Sequence, residues 1–312
     1  MEVRGRFAPS PSGRMHLGNL LSALLAWLDV RSQGGTLVLR IEDLDPDRCT
    51  RARAEQLVDD LRWLGLDWDE GGLEPGYMQS CRAAYYEEAF RVLEEKGLTY
   101  PCYCTRAERL AASAPHRGHP HLGEGGEGSC RCARMTEQER SELEAAGRRP
   151  AWRVRVPDET VAVEDGHLGR FQQELRRDCG DFIIRRSDGV WAYQLAVVVD
   201  DALMGVNHVV RGQDLLESAP RQAWLHRTLG YEPPRYFHLP LLVDGEGRRL
   251  SKRDLDLDMG ALRERYAPTG LTGLLAWYAG LQNEPKNAEP YELVSRFSWA
   301  KVPKKDVVVC SS

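Results

Sequence analysis

The chain has 312 residues, of which 42% are hydrophobic and 29% charged, and its formal net charge is −5. This length suits about two domains, or one domain with an insertion, and the sequence contains no apolar run of about 18 residues that could cross a membrane. Without a visible secretory signal we expect a cytoplasmic protein, and the small net charge neither supports nor excludes a nucleic-acid partner.

The first predicted elements are a short strand ending near Arg6, a proline-rich loop through Gly13, and a buried helix over 17–32. The start of a helix offers free backbone N–H groups and a positive dipole end, which suits phosphate. His16 can donate a hydrogen bond to a phosphate oxygen, and Gly18 would let a flat base approach the backbone. A plain strand–helix connection is the alternative interpretation.

The next segments alternate between strand and helix patterns. A strand over 36–41 is apolar enough to be central in a parallel sheet, and it ends at Glu42. Helices are predicted over 51–64 and 81–95. This order, with short links, is typical of an α/β fold with a doubly wound, Rossmann-like parallel sheet.

The α/β pattern stops near residue 98. Residues 113–130 are rich in Gly, His and Pro and show no periodicity, whereas 152–156 and 181–185 read as antiparallel strands. We therefore predict that residues 99–185 form an insertion in the nucleotide-binding domain.

The predicted insertion holds four of the eight cysteines. Cys102 and Cys104 are separated by 25 residues from Cys130 and Cys132. Clustered pairs in a chain without an export signal favour a metal over disulfides, and four thiolates would form one closed, structural Zn²⁺ site. Unpaired core thiols and disulfides are the alternatives. Three histidines are reserve ligands if Cys132 faces away: His116, His119 and His121.

The α/β pattern resumes after the insertion. A helix is predicted from Tyr193 to Asp201, a strand over 206–212, a helix over 215–229 and a strand over 238–243. A Gly-rich turn follows, and then the run Arg249-Leu250-Ser251-Lys252-Arg253. The 59 residues after this run contain one clear amphipathic helix, near 271–281.

Three charged residues leave predicted strands: Arg6, Glu42 and Arg211. Ligands of doubly wound sheets bind at the carboxyl ends of the strands, near the switch in strand order. Two arginines and one carboxylate match a substrate with two carboxylates and one ammonium group, namely glutamate or aspartate. A structural ion pair between Glu42 and one of the arginines is the alternative.

Two motifs resemble those of class I aminoacyl-tRNA synthetases of the glutamyl and glutaminyl branch. The residues from Pro9 to Gly13, with His16-Leu17-Gly18-Asn19, are similar to the first ATP-binding motif, with Asn19 at the position of its final His. The run from Arg249 to Arg253 is similar to the mobile Lys-Met-Ser-Lys-Ser loop. The likeness covers nearly all of the chain up to Arg253.

The resemblance implies a ligase that activates an amino acid with ATP and Mg²⁺. It implies that His16 and Lys252 are the catalytic residues, the lysine acting as a point charge on the leaving pyrophosphate. The implied ATP-binding residues are Pro9, His16, Gly18, Asn19, Arg249, Leu250, Ser251, Lys252 and Arg253. The implied glutamate-binding residues are Arg6, Phe7, Ala8, Pro9, Ser10, Glu42, Tyr193 and Arg211. Relatives also carry zinc at the place of the cysteine pairs, with His or Tyr as one ligand in some.

Two features favour the short paralogues of glutamyl-tRNA synthetase. The 59 residues after Arg253 are too few for a large helical anticodon-binding domain, and Val197 stands where full-length glutamyl enzymes tend to have Asn. The paralogues activate glutamate without tRNA and transfer it to the queuosine at the wobble position of tRNA(Asp). The implied partners are therefore ATP, L-glutamate and queuosine-containing tRNA(Asp).

Two alternatives remain at this point. One is a truncated ligase that charges the 3′ end of tRNA(Glu). The other is a non-catalytic RNA-binding paralogue, which predicts loss of His16 or Lys252. We expect a monomer, because no apolar surface stripe is left over.

These inferences predict four segments along the chain. They are the first half of the catalytic domain (1–98), the zinc-containing insertion that contacts the acceptor (99–185), the second half with the mobile lysine loop (186–253), and a short, mainly helical region (254–312).

Overall fold

Twelve strands and nine α-helices form the regular structure of the residues that the computed structural model describes, namely 2–104, 130–248 and 258–309. The strands are β1 (Arg4–Phe7), β2 (Thr36–Leu39), β3 (Glu70–Gly71), β4 (Thr99–Cys102), β5 (Ala151–Val154), β6 (Thr160–Asp165), β7 (Gly169–Glu174), β8 (Phe182–Arg185), β9 (His208–Gly212), β10 (Arg235–Leu239), β11 (Leu242–Val243) and β12 (Val307–Val308). The helices are α1 (Leu17–Arg31), α2 (Arg51–Trp63), α3 (Ala83–Glu95), α4 (Glu137–Ala145), α5 (Tyr193–Leu203), α6 (Ser218–Thr228), α7 (Met259–Arg265), α8 (Pro268–Tyr278) and α9 (Pro290–Val294).

A five-stranded sheet forms the centre of the molecule, with the order β10-β9-β1-β2-β3. All of its neighbouring strands pair in parallel. The chain passes from β1 to β2 on one side, whereas β9 lies on the other side of β1. The strand order therefore reverses between β1 and β9, and a crevice forms at the carboxyl ends of these two strands. The predicted α/β class and doubly wound parallel sheet are confirmed.

Helix α1 is the most buried helix and follows directly on β1. Its apolar side chains cover most of its circumference, and Leu20, Leu24, Trp27 and Leu28 are all fully buried. A helix can be apolar on every face only when it is covered on every side. The sheet covers one side of α1 and the C-terminal helices α8 and α9 cover another. This packing fixes the start of α1 relative to the end of β1.

A smaller antiparallel sheet with the order β4-β5-β8 lies within the predicted insertion. The sequence analysis missed the hairpin of β6 and β7, because β7 is mostly polar and exposed. The tip of this hairpin docks against the central sheet, where Gly166 N–H donates to the Tyr236 carbonyl at 2.8 Å. A Cβ atom at Gly166 would lie 2.1 Å from the Phe237 ring, so only glycine permits this approach.

Two predicted elements after the insertion have different bounds in the structure. The predicted strand over 238–243 is wrong as a single element. Strand β10 ends before Pro240, which has no N–H to donate to a ladder, and β11 pairs with β12 instead. The helix predicted over 215–229 begins only at Ser218, after a short 3₁₀ turn over Gln213–Leu215.

Residues 258–309 are mainly helical, as predicted, and contribute α7, α8, α9 and the short strand β12. None of the helices in the described ranges is both long and apolar enough to span a bilayer.

Candidate active site and metal centre

A cavity of about 340 Å³ opens at the carboxyl ends of β1, β9 and β10, beside the reversal in strand order. This volume is in the range of small-molecule sites. The cavity brings together every predicted ATP and glutamate residue that the structure describes: Arg6, Phe7, Ala8, Pro9, Ser10, His16, Gly18, Asn19, Glu42, Tyr193 and Arg211. The other predicted ATP-binding residues, Arg249 to Arg253, lie outside the described residues.

The start of α1 forms one wall of this cavity. His16 is the N-cap residue, and its backbone N–H donates to the Asn19 Oδ1 at 3.2 Å. The first turn carries no acidic residue, so the positive end of the helix is not neutralised from within. A Cβ atom at Gly18 would lie 3.3 Å from two ring atoms of His16. Glycine therefore leaves room for the imidazole as well as for a ligand.

Both flanks of the predicted lysine loop lie at the same cavity. Leu242 lines it on one side. On the other side, Asp258 forms an isolated antiparallel bridge with His16, and Met259 N–H donates to the Met15 carbonyl at 2.8 Å. Backbone contacts therefore connect the motif that resembles an ATP-binding motif to the residues that follow the predicted lysine loop.

Two buried arginines form the inner end of the cavity. The Nη1 of Arg6 donates to the Val210 carbonyl at 3.0 Å, and its Nε lies 3.6 Å from Asp201 Oδ1. Arg211 donates through Nη1 to Gln222 Oε1 at 2.7 Å and through Nη2 to the Leu215 carbonyl at 3.3 Å. Burial lowers the pKa of Arg6, although Asp201 opposes this shift.

Glu42 supplies the carboxylate of the cavity, and Arg40 holds it. The Nη2 of Arg40 donates to Glu42 Oε1 at 3.1 Å. Burial raises the pKa of Glu42 above its ordinary value, although the positive charges of Arg40 and Arg6 act in the opposite direction. Neither arginine of the alternative interpretation makes an ion pair with Glu42 among the described contacts; Arg40 does so instead.

The sequence analysis missed Arg40 as a residue of the site. Arg40 is fully buried, and its Nη1 also donates to Asp201 Oδ1 at 2.6 Å while its Nε lies 3.9 Å from Asp200 Oδ2. Asp200 in turn accepts from Arg82 at 2.6 Å. One feature of the sequence could have identified Arg40, namely that it is a basic residue inside an otherwise apolar predicted strand. Because such a charge is seldom buried unless it is paired, the position predicts carboxylate partners nearby.

Tyr193 completes the substrate wall at the first position of α5. Burial raises the pKa of its phenol, so the hydroxyl stays protonated and able to donate a hydrogen bond. A second cavity, of about 260 Å³, adjoins the first and shares Ser10, Ser12, Glu42 and Tyr193 with it. Its remaining wall carries three arginines, Arg48, Arg186 and Arg221, together with Asp45, Trp191 and several apolar residues.

The four cysteines of the two pairs converge on one point and could hold a metal ion. Their sulfur atoms all lie within 4.8 Å of one another. Cys102 Sγ is 3.7 Å from Cys130 Sγ, and Cys104 Sγ is 3.9 Å from Cys132 Sγ. Four sulfurs bound tetrahedrally at about 2.3 Å from one ion stand about 3.8 Å apart, so the cluster fits a tetrahedral thiolate site. The reserve ligands His116, His119 and His121 lie outside the described residues.

Arg153 lies directly behind the cysteine cluster. This buried residue donates through Nε to Cys102 Sγ at 3.3 Å and through Nη1 to the Asp181 carbonyl at 2.6 Å. A divalent ion with four thiolates carries a net negative charge, and the guanidinium offsets part of it. Hydrogen bonds among the four cysteines lower the pKa of Cys102, a shift to which Arg153 adds, and raise the pKa values of Cys104 and Cys130.

Two curated proteins and one family model are similar to this chain over most or nearly all of its length. A family model for the catalytic domain of class I tRNA synthetases (E and Q) matches residues 2–272. A glutamyl-Q tRNA(Asp) synthetase from Nitratidesulfovibrio vulgaris is 49% identical, covering 98% of this chain and 95% of its own. A protein of the same name from Symbiobacterium thermophilum is 48% identical, covering 97% and 94%.

Two solved structures resemble the fold over nearly the whole chain. The glutamate-tRNA synthetase from Elizabethkingia anophelis superimposes with a TM-score of 0.82 at 26% identity, covering 100% of this chain and 68% of the other. A glutamate tRNA ligase from Elizabethkingia meningosepticum, solved in complex with its amino acid, gives a TM-score of 0.81 at 26% identity and covers 99% and 67%. This chain therefore shares its fold with these two structures over nearly its whole length.

Proposed function

This chain belongs to the class I tRNA synthetases of the E and Q type and, within them, to the glutamyl-Q tRNA(Asp) synthetases, and we propose that it activates L-glutamate with ATP without tRNA and transfers the glutamyl group to queuosine in tRNA(Asp). It is a ligase. The single observation that carries the activation step is the cavity that joins Arg6, Glu42 and Arg211 to the start of α1.

In the proposed first step, a carboxylate oxygen of glutamate attacks the α-phosphate of ATP. The bond from this phosphorus to the bridging oxygen breaks, pyrophosphate leaves, and glutamyl-adenylate forms. The step needs positioned reactants and stabilised phosphate charge rather than a protein nucleophile. His16 and the free N–H groups of α1 would hold the phosphates, and Gly18 would lie against the nucleotide.

The proposed recognition of glutamate uses charge complementarity. The guanidinium groups of Arg6 and Arg211 would bind the side-chain carboxylate, and Glu42 would accept from the ammonium group. Tyr193 would donate its hydroxyl to a carboxylate oxygen. A glutamine side chain offers no negative charge to the two arginines, so we expect discrimination against it. Ser10 and the backbone over 7–9 would form the remaining contacts.

Transfer is the proposed second step. A hydroxyl oxygen of the queuosine ring attacks the carbonyl carbon of glutamyl-adenylate and gives up its proton, and an ester bond forms. The bond from this carbon to the phosphate oxygen of the mixed anhydride breaks, and AMP leaves with that oxygen. The second cavity supports this step, because Ser10, Glu42 and Tyr193 line both this cavity and the first. Its arginines would suit the phosphates of a nucleotide, and Trp191 would suit a base.

We propose two metals with separate roles. Cys102, Cys104, Cys130 and Cys132 would hold one structural Zn²⁺, for which the sulfur spacings and the charge of Arg153 are the support. Mg²⁺ would enter with ATP and share the phosphate charge with Lys252.

The decisive test separates activation from transfer. We expect glutamate-dependent exchange of labelled pyrophosphate into ATP without any tRNA, and labelling of queuosine-containing but not queuosine-free tRNA(Asp). Equal labelling of both tRNAs, or label at the 3′ end, would contradict the proposed acceptor. Exchange that requires tRNA(Glu) would favour a truncated tRNA(Glu)-charging ligase instead.

We expect the variant Lys252→Ala to lose roughly 10²–10³-fold in exchange rate, because a point charge on the leaving pyrophosphate is missing. The matched control is Lys286→Ala, since Lys286 is exposed and pairs only with Glu284 among the described contacts. The control should exchange at the wild-type rate. Full exchange activity in Lys252→Ala would show that the assignment of this lysine is wrong.

A further inference from the structure

A buried imidazole stands directly behind Arg211. The Nε of Arg211 donates to His238 Nε2 at 2.9 Å, and His238 Nδ1 lies 2.6 Å from Asp165 Oδ2. His238 is 0% exposed, Arg211 5% and Asp165 6%. The three side chains thus form a line from the tip of the β6–β7 hairpin, through β10, to the substrate cavity on β9.

The hydrogen bonds of this line determine which nitrogen of His238 carries the proton. A guanidinium group has only donors, so His238 Nε2 must accept. The proton of the neutral imidazole therefore lies on Nδ1 and is donated to Asp165. Burial lowers the pKa of His238 to about 4, with Arg211 acting in the same direction, so the ring is neutral near pH 7 although Asp165 opposes the shift.

Asp165 is held rigidly at the hairpin tip. Its Oδ1 accepts from His167 N–H at 2.9 Å and from Leu168 N–H at 2.7 Å. Its Oδ2 also accepts from the backbone N–H of His238 at 3.1 Å. The close packing of Gly166 against Phe237 holds the tip of the hairpin against β10. The carboxylate therefore has one orientation toward the imidazole.

The same bonds determine what Arg211 can offer to a ligand. Of its five N–H donors, one is used by His238, one by Gln222 and one by the Leu215 carbonyl. Two N–H groups remain among the described contacts, which is the number that bidentate binding of a carboxylate requires.

We propose that Asp165 and His238 act as a positioning pair, in which the hairpin tip sets the tautomer of the imidazole and the imidazole sets the plane of the Arg211 guanidinium. The pair thereby controls the affinity for the substrate carboxylate. This inference rests on the proposed function for the identity of the ligand, but the tautomer itself is a property of the resting protein.

The variant Asp165→Asn tests the pair with almost no change in shape. The amide oxygen can keep the bonds from the His167 and Leu168 N–H groups and the longer bond of 3.3 Å from the His238 N–H. The amide NH₂ takes the place of Oδ2, gives up the 3.1 Å bond from that same N–H, and faces His238 Nδ1, which must accept. The imidazole proton moves to Nε2 and meets the Nε–H of Arg211, and two donors repel each other. We expect the KM for glutamate to rise about 10–100-fold, because small displacements of a binding group have effects of this size. The KM for ATP should change by less than about twofold.

A second substitution should rescue the first. The side-chain oxygen of a glutamine at position 238 can accept from the Nε–H of Arg211 in place of the imidazole Nε2. This bond does not depend on which residue stands at position 165. We therefore expect Asp165→Asn with His238→Gln to have a lower KM for glutamate than Asp165→Asn alone. Glu164→Gln is the matched control beside the hairpin tip, because it makes the same acid-to-amide change at an exposed carboxylate that pairs with Arg170 among the described contacts; its KM for glutamate should be that of the wild type.

A spectroscopic measurement separates this inference from the proposed function. In ¹⁵N-histidine spectra of the wild-type protein, His238 should carry its proton on Nδ1, and in Asp165→Asn on Nε2. These spectra need no substrate, so they test the pair even if no glutamate-dependent exchange is found. A proton on Nε2 in the wild type would overturn the proposal. So would equal increases of both KM values in Asp165→Asn, which would indicate a merely structural role.

Discussion

Replacing Arg40 by methionine is expected to lower the free energy of unfolding by about 3–5 kcal/mol, because the buried carboxylates around it lose their shared partner. Arg40 is fully buried and contacts Asp201 at 2.6 Å, Glu42 at 3.1 Å and Asp200 at 3.9 Å. Methionine fills a similar volume but carries no charge. Asp201 and Glu42 would then lose their common partner, and Arg6 would be the arginine that still pairs with Asp201 among the described contacts. Chemical denaturation at pH 7 measures this loss.

The pH dependence of the same variant has a definite sign. Burial alone would raise the pKa of Asp201, but Arg40 and Arg6 outweigh burial and hold this pKa below its ordinary value. In the wild type, the resulting stability is present above the ordinary pKa of an aspartate and is lost as the pH falls through the lower value of the folded state. Without Arg40 the folded-state pKa rises, so the folded protein gains protons. The stability deficit should therefore be smaller at pH 5 than at pH 8.

Two further variants test whether the loss of stability depends on the buried position and the forked geometry of Arg40. Arg40→Lys keeps a charge but not the forked geometry, and it should recover only part of the stability. Arg91→Met removes an exposed arginine that pairs with Glu88, and it should change the stability by less than about 0.5 kcal/mol. A deficit for Arg40→Met that equals the deficit for Arg91→Met would contradict the role given to this network.

Removing the proposed Zn²⁺ from the cysteine cluster is expected to have the second large effect. Four thiolates are arranged around one ion only in the folded state, so the free energy of metal binding adds to the free energy of unfolding. We expect one zinc per chain by elemental analysis. Complete chelation should lower the melting temperature by about 5 °C or more, since each kcal/mol shifts it by about 2–4 °C in domains somewhat smaller than this one. Added Zn²⁺ should restore the melting temperature.

The position of the cysteine cluster predicts which function suffers from chelation. Cys102 ends β4, Cys130 precedes a short 3₁₀ turn over Arg131–Arg134, Cys132 lies within that turn, and Arg153 joins the cluster to β5. These elements belong to the antiparallel sheet rather than to the five-stranded sheet that carries the cavity. Transfer to tRNA should therefore fall more than glutamate-dependent exchange. Cys81→Ser is the control, because Cys81 is exposed and lies outside the cluster. A metal-free protein with unchanged stability would contradict a structural metal.

Local patterns were sufficient to predict β1, β2 and β9 of the central sheet and helix α1, whereas the two-residue strand β3 was not predicted. Helix α1 and strand β2 are strongly apolar segments separated by Gly34 and Gly35, so backbone preference and burial favour the same elements there. The hairpin of β6 and β7 was missed because half of its residues face solvent and carry polar side chains. The division of the strand near Pro240 depends on a pairing with β12, which lies more than sixty positions away in the chain.

The sequence by itself determined the α/β class, the two cysteine pairs and the charged residues at strand ends, since each depends on residue type and spacing along one segment. Only the tertiary structure decided which charges meet. Arg40 and not Arg6 or Arg211 holds Glu42, and His238 with Asp165 stands behind Arg211. Such partners are 2 to 73 positions apart and come together because parallel strands align their carboxyl ends and a hairpin tip docks beside them. Hydrogen bonds act over about 3 Å, so their partners follow from packing and not from spacing along the chain.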